Sequence, residues 1–120
     1  MKKIVVVEDN TAIRKLFCTI LKKQGYEVSD FGDGSSVLSE IPNLNPDLLI
    51  LDILLPDING TDLITKLRAH PHCTTIPAIA VTGFATEQDE NKFKEAGFNG
   101  YLSKPINTIQ FAEVIQKILT

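Results

Sequence analysis

Three acids, a hydroxyl and an ammonium each come after a short apolar run that is typical of a buried strand. They are Glu8 and Asp9, Asp52, Thr82, and Lys104. In an open parallel α/β sheet, ligands bind in the crevice outside the carboxyl ends of the strands. The positions of these five residues therefore predict one shared site at that edge of a sheet.

The three carboxylates predict a divalent metal ion. Glu8, Asp9 and Asp52 would meet if the first and third strands are neighbours, and like charges at close range raise at least one pKa unless a cation intervenes. Mg²⁺ prefers oxygen ligands and is commonly held by one or two carboxylates together with a substrate phosphate. The acids thus favour Mg²⁺, with Mn²⁺ as a possible substitute.

Lys104, Thr82 and Gly83 fit phosphoryl chemistry at the same place. An ammonium can neutralise phosphoryl oxygens, a hydroxyl can donate to one, and a glycine leaves room beside the group. A carboxylate between a metal and a lysine can act as a nucleophile and form an aspartyl phosphate. Each residue alone is often just a helix cap or a turn former, but all five in this order are hard to explain as loops.

Length and composition exclude several classes of protein. The 120 residues predict a single domain over 1–120, and the net charge of −3 offers no basic footprint for direct nucleic-acid binding. No apolar run approaches the roughly 20 residues of a membrane span, and the run after the basic N-terminus is too short for a signal peptide. Cys18 and Cys73 form no disulfide framework, so a cytoplasmic location is the simplest expectation.

Short β-branched runs alternate with helical patterns, which predicts βαβ units and a parallel sheet. Residues 28–31 alternate in polarity as an edge strand would. Helices are expected over 11–24, after Gly34, and over 61–69, 86–96 and 108–119. The fourth has little apolar surface and should be weakly anchored. Ile109 in the fifth is expected to pack in the first turn, with an exposed partner contact as the alternative.

These residues, together with Lys104-Pro105 and the turn Pro56-Asp57-Ile58-Asn59-Gly60, resemble the receiver domains of the two-component response-regulator family, which have the CheY-like fold. The resemblance covers essentially the whole chain. It implies an α/β flavodoxin-like doubly wound (βα)5 fold, with a five-stranded parallel sheet of order 2-1-3-4-5 and helices on both faces. Residues 76–82 and 101–105 are similar to those of single-domain DivK-like regulators.

The resemblance also implies a role for each site residue. Asp52 would accept the phosphoryl group from a sensor histidine kinase or a histidine phosphotransfer protein. Metal ligands would come from Glu8, Asp9, Asp52 and the backbone carbonyl of Leu54. Thr82 and Lys104 would bind phosphoryl oxygens, and the peptide bond before Pro105 would be cis.

A switch follows from the same resemblance. Tyr101 would turn inward as Thr82 moves toward the phosphoryl group, and the face made by helix 4, strand 5 and helix 5 would change for an effector protein. The chain would then act as a monomer or a weak phosphorylation-dependent dimer. It would catalyse only its own phosphorylation and slow dephosphorylation. The alternative is a phosphorylation-independent scaffold, which intact Asp52, Thr82 and Lys104 argue against.

Two positions depart from common family choices. Leu54 is apolar and Phe84 is bulky, and both are expected near the path of a water that attacks the aspartyl phosphate. With Gly83 they would tune the lifetime of the phosphoryl group, and a long-lived state is predicted.

Other motifs support weaker interpretations. His70, His72 and Cys73 could bind zinc, but closed sites want four ligands and a solvated loop is favoured. Cys18 is expected to be a small residue at a helix margin, with partial exposure near a partner surface as the alternative. A flavodoxin-like electron carrier would need a phosphate-cradling loop where Glu8-Asp9 stands, and a phosphatase would need a second acid two residues after Asp52.

Overall fold

A computed structural model describes residues 1–83 and 87–120 and contains one parallel five-stranded sheet. The strand order β2-β1-β3-β4-β5 confirms the predicted topology. The strands are β1 Lys3–Val7, β2 Glu27–Phe31, β3 Leu48–Asp52, β4 Ala78–Thr82 and β5 Gly100–Ser103.

Helices follow the strands, and side-chain caps begin four of them. Asn10 accepts a hydrogen bond from the backbone N–H of Ile13, and Asp33, Asn59 and Asn107 likewise accept from backbone N–H groups in the first turns of their helices. Residue 86, where the fourth helix was expected to begin, lies outside the described residues. The helices are α1 Thr11–Lys23, α2 Gly34–Glu40, α3 Gly60–Arg68, α4 Glu87–Ala96 and α5 Thr108–Leu119, with short 3-10 turns at Ile41–Asn43 and Pro71–Cys73.

Both faces of the sheet are covered, so β3 and β4 are buried along their whole length. On one face, α1 and α5 meet through stacked rings of Phe17 and Phe111, whose centroids are 4.6 Å apart. On the other face, α2, α3 and α4 contribute residues such as Val37, Leu63 and Phe93. The edge strand β2 is more exposed, as its alternating sequence predicted.

Helix α4 buries one aromatic side chain among its described residues. The ring of Phe93 lies 6.2 Å from that of Phe98 and 6.3 Å from that of Tyr101. This contact joins α4 to β5. That α4 is weakly anchored stays a prediction.

One sequence-based expectation was wrong. Ile109 is 71% exposed and is not packed in the first turn of α5 as expected. Cys18 is buried, with 9% of its surface exposed. Burial raises the pKa of its thiol, and the nearby Asp30 carboxylate adds to that effect. None of the helices, as far as the structure describes them, is long and apolar enough to cross a bilayer.

Candidate active site

The strand register places the predicted residues at one edge of the sheet. Val7 of β1 is level with Leu51 of β3, and Asp52 is level with Val81 of β4. Glu8 therefore emerges beside Asp52, and Thr82 ends the next strand. Lys104 follows β5, and its backbone N–H donates to the carbonyl of Thr82 over 2.7 Å.

A cleft of about 380 Å³ opens at this edge. It includes Asp52, Thr82 and Lys104, which the sequence assigned to one site. Residues that the sequence did not assign to the site also line it, because Asn10 and Ile13 begin α1 at its rim. The full lining is Asp9, Asn10, Ile13, Asp52, Ile53, Leu54, Thr82, Gly83 and Lys104.

Three carboxylates converge as predicted. Glu8, Asp9 and Asp52 each offer an oxygen, and these oxygens lie within 4.8 Å of one another. Glu8 and Asp52 are 1% and 3% exposed, whereas Asp9 is exposed. Two buried acids beside a third one require compensating positive charge.

Lys104 supplies part of that charge. Its Nζ lies 3.1 Å from Glu8 Oε1 and 3.3 Å from Asp52 Oδ2. Burial acts to lower the pKa of Lys104, but the two carboxylates outweigh it and the pKa is raised. The peptide bond from Lys104 to Pro105 is cis.

The surroundings of Glu8 favour its protonated form. Burial first, and then the contact with Asp52, raises the pKa of Glu8 to about 7, although the Asn10 N–H and Lys104 lower it. Glu8 Oε1 is buried, lies 3.1 Å from the Lys104 ammonium and, among the described residues, accepts no hydrogen bond of good geometry. A hard divalent cation fits this oxygen-rich set.

The loop after β3 restrains Asp52 through backbone hydrogen bonds. The Leu54 N–H donates to Asp52 Oδ1 over 3.2 Å, and Leu54 pairs with Asn59 in an antiparallel bridge. The Gly60 N–H donates to the Ile53 carbonyl over 2.7 Å. A Cβ on Gly60 would lie 2.7 Å from the Asp52 carbonyl oxygen, so only glycine fits there.

Asp57 ties this loop to α2. Its carboxylate accepts from the backbone N–H groups of Gly34 and Ser35 over 2.9 and 2.8 Å, and from the Ser35 hydroxyl over 2.7 Å. The hydroxyl and then the two amides lower the pKa of Asp57 to about 2. The Pro56–Gly60 turn is thus fixed at both ends.

The residues assigned to switching and tuning are only partly brought together. Thr82 is buried at the cleft, and Gly83 lies beside it with open space where a Cβ would point. The side chain of Leu54 is 59% exposed at the rim. Tyr101 is half-buried against Phe93 and is not part of the described cleft lining. Phe84 lies outside the described residues.

The histidine and cysteine cluster does not form a comparable site. The rings of His70 and His72 stack 5.1 Å apart, and Cys73 is buried. Within residues 1–83 and 87–120, the one group of three potential ligands at metal-binding spacing is the acidic group.

Comparisons with known proteins agree with this geometry. The response regulator receiver domain family matches residues 4–116. The polar-differentiation response regulator DivK of Brucella ovis is 36% identical over 118 residues, which cover 98% of this chain and 96% of that protein. The chemotaxis response regulator CheY4 of Vibrio cholerae has a TM-score of 0.93 at 25% identity, covering 98% of both chains.

A third relative bears on the acidic group. The receiver domain of a sensor histidine kinase from Pseudomonas aeruginosa has a TM-score of 0.88 at 28% identity, covering 99% of this chain and 98% of that one. It was solved with a magnesium ion coordinated in its active-site cleft. Family match, relatives and fold cover nearly the whole chain, and this protein belongs to the response regulator receiver domain family.

Proposed function

We propose that this chain, over residues 1–120, is a phosphoacceptor response regulator of a two-component or phosphorelay system in which Asp52 receives the phosphoryl group. The observation that carries the proposal is the environment of Asp52. Its buried carboxylate faces an open cleft, lies 3.3 Å from the Lys104 ammonium and is grouped with two further carboxylates.

Glu8, Asp9, Asp52 and the backbone carbonyl of Leu54 would hold Mg²⁺, or Mn²⁺ in its place. The closeness of the three carboxylates and the buried Glu8 Oε1 support this assignment. The magnesium ion in the active-site cleft of the similar Pseudomonas aeruginosa receiver domain also supports this assignment. When bound, the ion supplies positive charge to phosphoryl oxygens and helps to orient them.

In the proposed step, a carboxylate oxygen of Asp52 attacks the phosphorus of a phosphohistidine. The P–O bond to Asp52 forms as the P–N bond breaks, and the imidazole leaves with the bonding electron pair and takes a proton. Lys104 neutralises a phosphoryl oxygen, and the Thr82 hydroxyl donates to another. The donor would be a sensor histidine kinase or a histidine phosphotransfer protein.

Output would pass through Thr82 and Tyr101 to the face formed by α4, β5 and α5. The Tyr101 ring is half-buried against Phe93 of α4, so a change in the position of the ring would alter the packing of that helix. An effector protein would read this face, with the chain as a monomer or a weak phosphorylation-dependent dimer. Both cysteines are free thiols, which fits action in the reducing cytoplasm.

The chemistry is tested by incubating the protein with Mg²⁺ and acetyl phosphate and recording its intact mass. We expect a gain of one phosphoryl group that disappears in Asp52→Asn and when the metal is chelated. Asp62→Asn is the matched control, because Asp62 is an exposed acid on α3 away from the cleft. An unchanged gain in Asp52→Asn would refute the proposal.

The scaffold alternative differs in its partner binding. A phosphorylation-independent scaffold would bind its effector equally well as wild type and as Asp52→Asn. The proposed regulator would bind more tightly only after wild-type protein has been treated with Mg²⁺ and acetyl phosphate.

A further inference from the structure

Arg14 on α1 contacts the backbone of the Glu8–Asp9 segment and not the carboxylate of either residue. Its Nη1 donates to the backbone carbonyl oxygen of Glu8 over 2.8 Å. Its Nε lies 3.1 Å from Asp30 Oδ2 at the end of β2. The guanidinium therefore joins the first turns of α1 to the ends of two strands.

Gly32 provides the space for this arrangement. A Cβ on Gly32 would lie 2.7 Å from Arg14 Nη1, closer than real side chains approach. Gly32 does not have a positive φ, so its backbone accepts other residues and the constraint comes from the guanidinium. The group formed by Arg14, Asp30 and Gly32 is here called the arginine clamp.

The arginine clamp holds the Glu8 carbonyl oxygen, and the position of this atom affects the orientation of both Glu8 and Asp9. The Glu8 carbonyl and the Asp9 N–H belong to one planar peptide unit. The Glu8 N–H is held separately, because it donates to the Phe31 carbonyl over 3.0 Å. With both sides of Glu8 fixed, the directions in which the Glu8 and Asp9 side chains leave the backbone are fixed as well.

The orientation of the Asp9 side chain depends most on this fixed backbone. Its carboxylate is exposed, and within the described part of the chain no hydrogen bond holds it. Glu8 has further restraints, since its Oε2 accepts from the Asn10 N–H over 3.1 Å and its Oε1 lies 3.1 Å from Lys104 Nζ. The backbone is thus the main structure that positions the Asp9 oxygen.

We propose that Arg14 is a positioning residue that sets the Glu8–Asp9 peptide for metal binding, with Asp30 orienting the guanidinium and Gly32 admitting it. The inference rests on the proposed function, in which these acids hold Mg²⁺. Groups that orient metal ligands from outside typically change metal affinity 10- to 100-fold when they are removed.

The sign of the effect separates positioning from simple electrostatics. Arg14 carries a positive charge near a cation site, so its removal should tighten Mg²⁺ binding if only charge mattered. Positioning predicts the opposite. Arg14→Lys keeps the charge, but an ammonium cannot present two separate N–H edges to Glu8 and Asp30, so it should recover only part of the affinity.

The test is calorimetric titration of MgCl₂ into metal-free protein, without a phosphodonor, at a temperature where circular dichroism shows each variant folded. We expect Arg14→Met to weaken Mg²⁺ binding about tenfold. Asp30→Ala should weaken it less, and the double variant should be no weaker than Arg14→Met alone because Asp30 acts through Arg14. Lys15→Met, which removes an exposed neighbouring charge on α1, should not weaken binding.

Gly32→Ala keeps the test decisive if Arg14→Met fails to fold. The added methyl displaces the guanidinium and leaves every donor in place, so Mg²⁺ binding should weaken severalfold. With acetyl phosphate, the Mg²⁺ concentration for half-maximal phosphorylation should rise by the same factor in each variant, while the rate at saturating Mg²⁺ stays near wild type. A loss of stability alone would not produce that split.

Mg²⁺ affinity equal to or tighter than wild type in Arg14→Met, or in Gly32→Ala if Arg14→Met does not fold, would overturn the clamp. Weakened binding in the variants, with no phosphoryl gain in the wild type, would support the clamp and overturn the proposed function. A wild-type protein that binds no Mg²⁺ would overturn both.

Discussion

Glu8 shows how much a single residue of this site depends on its surroundings. Its carboxyl group is buried beside Asp52, which raises its pKa to about 7. Burial and the neighbouring carboxylate thus disfavour the ionised form of Glu8, and Lys104 offsets them only in part. Metal binding and the proton on Glu8 should be coupled.

We expect Mg²⁺ affinity to fall as the pH is lowered through about 7, because the proton on Glu8 must leave before the carboxylate can bind the ion. Calorimetry in two buffers with different ionisation enthalpies would measure the proton released. Glu8→Gln should bind Mg²⁺ more weakly and lose this pH dependence. A wild-type affinity that is flat between pH 6 and 8 would contradict the assignment, because that interval brackets the Glu8 pKa of about 7.

The raised pKa of Glu8 also determines how the free energy of unfolding of the metal-free protein changes with pH. The folded protein holds the Glu8 proton more tightly than the unfolded chain, so this stabilisation is complete below about 4.5 and is lost as the pH rises through about 7. Urea unfolding in the presence of a chelator should show that decline, and Glu8→Gln should remove it.

Leu54 should govern how long the phosphoryl group survives. Its side chain lies at the rim of the cleft, two residues after Asp52, where an apolar group cannot orient an attacking water. Leu54→Asn should shorten the lifetime of the phosphorylated protein, on the order of tenfold. Intact mass recorded over time after removal of the donor measures it. Leu16→Asn, at an exposed leucine away from the cleft, is the control and should leave the lifetime unchanged.

At the scale of elements, the loop after β3 connects Asp52 to α3 with very little free space. A Cβ on Gly60 would lie 2.7 Å from two backbone atoms, the Asp52 oxygen and the Ile53 Cα. Backbone atoms of a buried strand cannot move aside as a flexible side chain can. The glycine is therefore required by packing and not by a positive φ.

Gly60→Ala should lower the free energy of unfolding by about 1–3 kcal/mol, the usual range for overpacking. It should also slow phosphorylation, since the strain falls on the residue before Leu54 and on Asp52 itself. Gly83→Ala is the matched control for stability, because a Cβ there meets nothing within 4 Å. Equal urea midpoints for the two variants would contradict this account of the loop.

The sequence predicted most elements because each carries its own signal. Continuous apolar runs identify strands that are covered on both faces, and Asn10 with Gly25 marks the ends of α1. Ile109 was misjudged because helical periodicity cannot tell how far a neighbouring element extends. With 71% of its surface exposed, Ile109 lacks the neighbour that the expectation required.

At the scale of the whole molecule, Arg68 stabilises the end of the sheet where the strands begin, opposite to the cleft. Its guanidinium donates to the carbonyl oxygens of Cys73 and Gly97 over 2.9 and 2.8 Å, to that of Ile76, and to Asn99 Oδ1 over 3.1 Å. One side chain thus joins the segments that enter β4 and β5. The contacts of Arg68 and the proposed site therefore lie at opposite ends of the strands.

Arg68→Lys should lower the free energy of unfolding by about 1–3 kcal/mol, because an ammonium cannot satisfy all of these partly buried acceptors. Phosphorylation by acetyl phosphate should remain near wild type in the folded protein, since Arg68 does not line the cleft and contacts the segments that enter β4 and β5. Lys66→Met, an exposed change on the same helix, should leave stability nearly unchanged. A slower phosphorylation rate in folded Arg68→Lys would contradict the separation of the two ends.

The candidate site divides in the same way into what sequence could and could not predict. The site residues Glu8, Asp9, Asp52, Thr82 and Lys104 could be predicted together because each lies at or just after the end of a strand, and parallel strands end at one edge. The arginine clamp gave no such signal. Its residues belong to α1 and to the end of β2, and each looks like an ordinary surface or turn residue until the fold brings them together.

The central claim is that Asp52 accepts a phosphoryl group in a metal-dependent reaction. Its most direct test is transfer from a purified phosphohistidine donor, followed by digestion and mass spectrometry to locate the modified residue. The account predicts one phosphoryl group, on Asp52, formed with Mg²⁺ and absent with a chelator. Modification of a different residue, or transfer to Asp52 at an undiminished rate without a divalent metal, would contradict it.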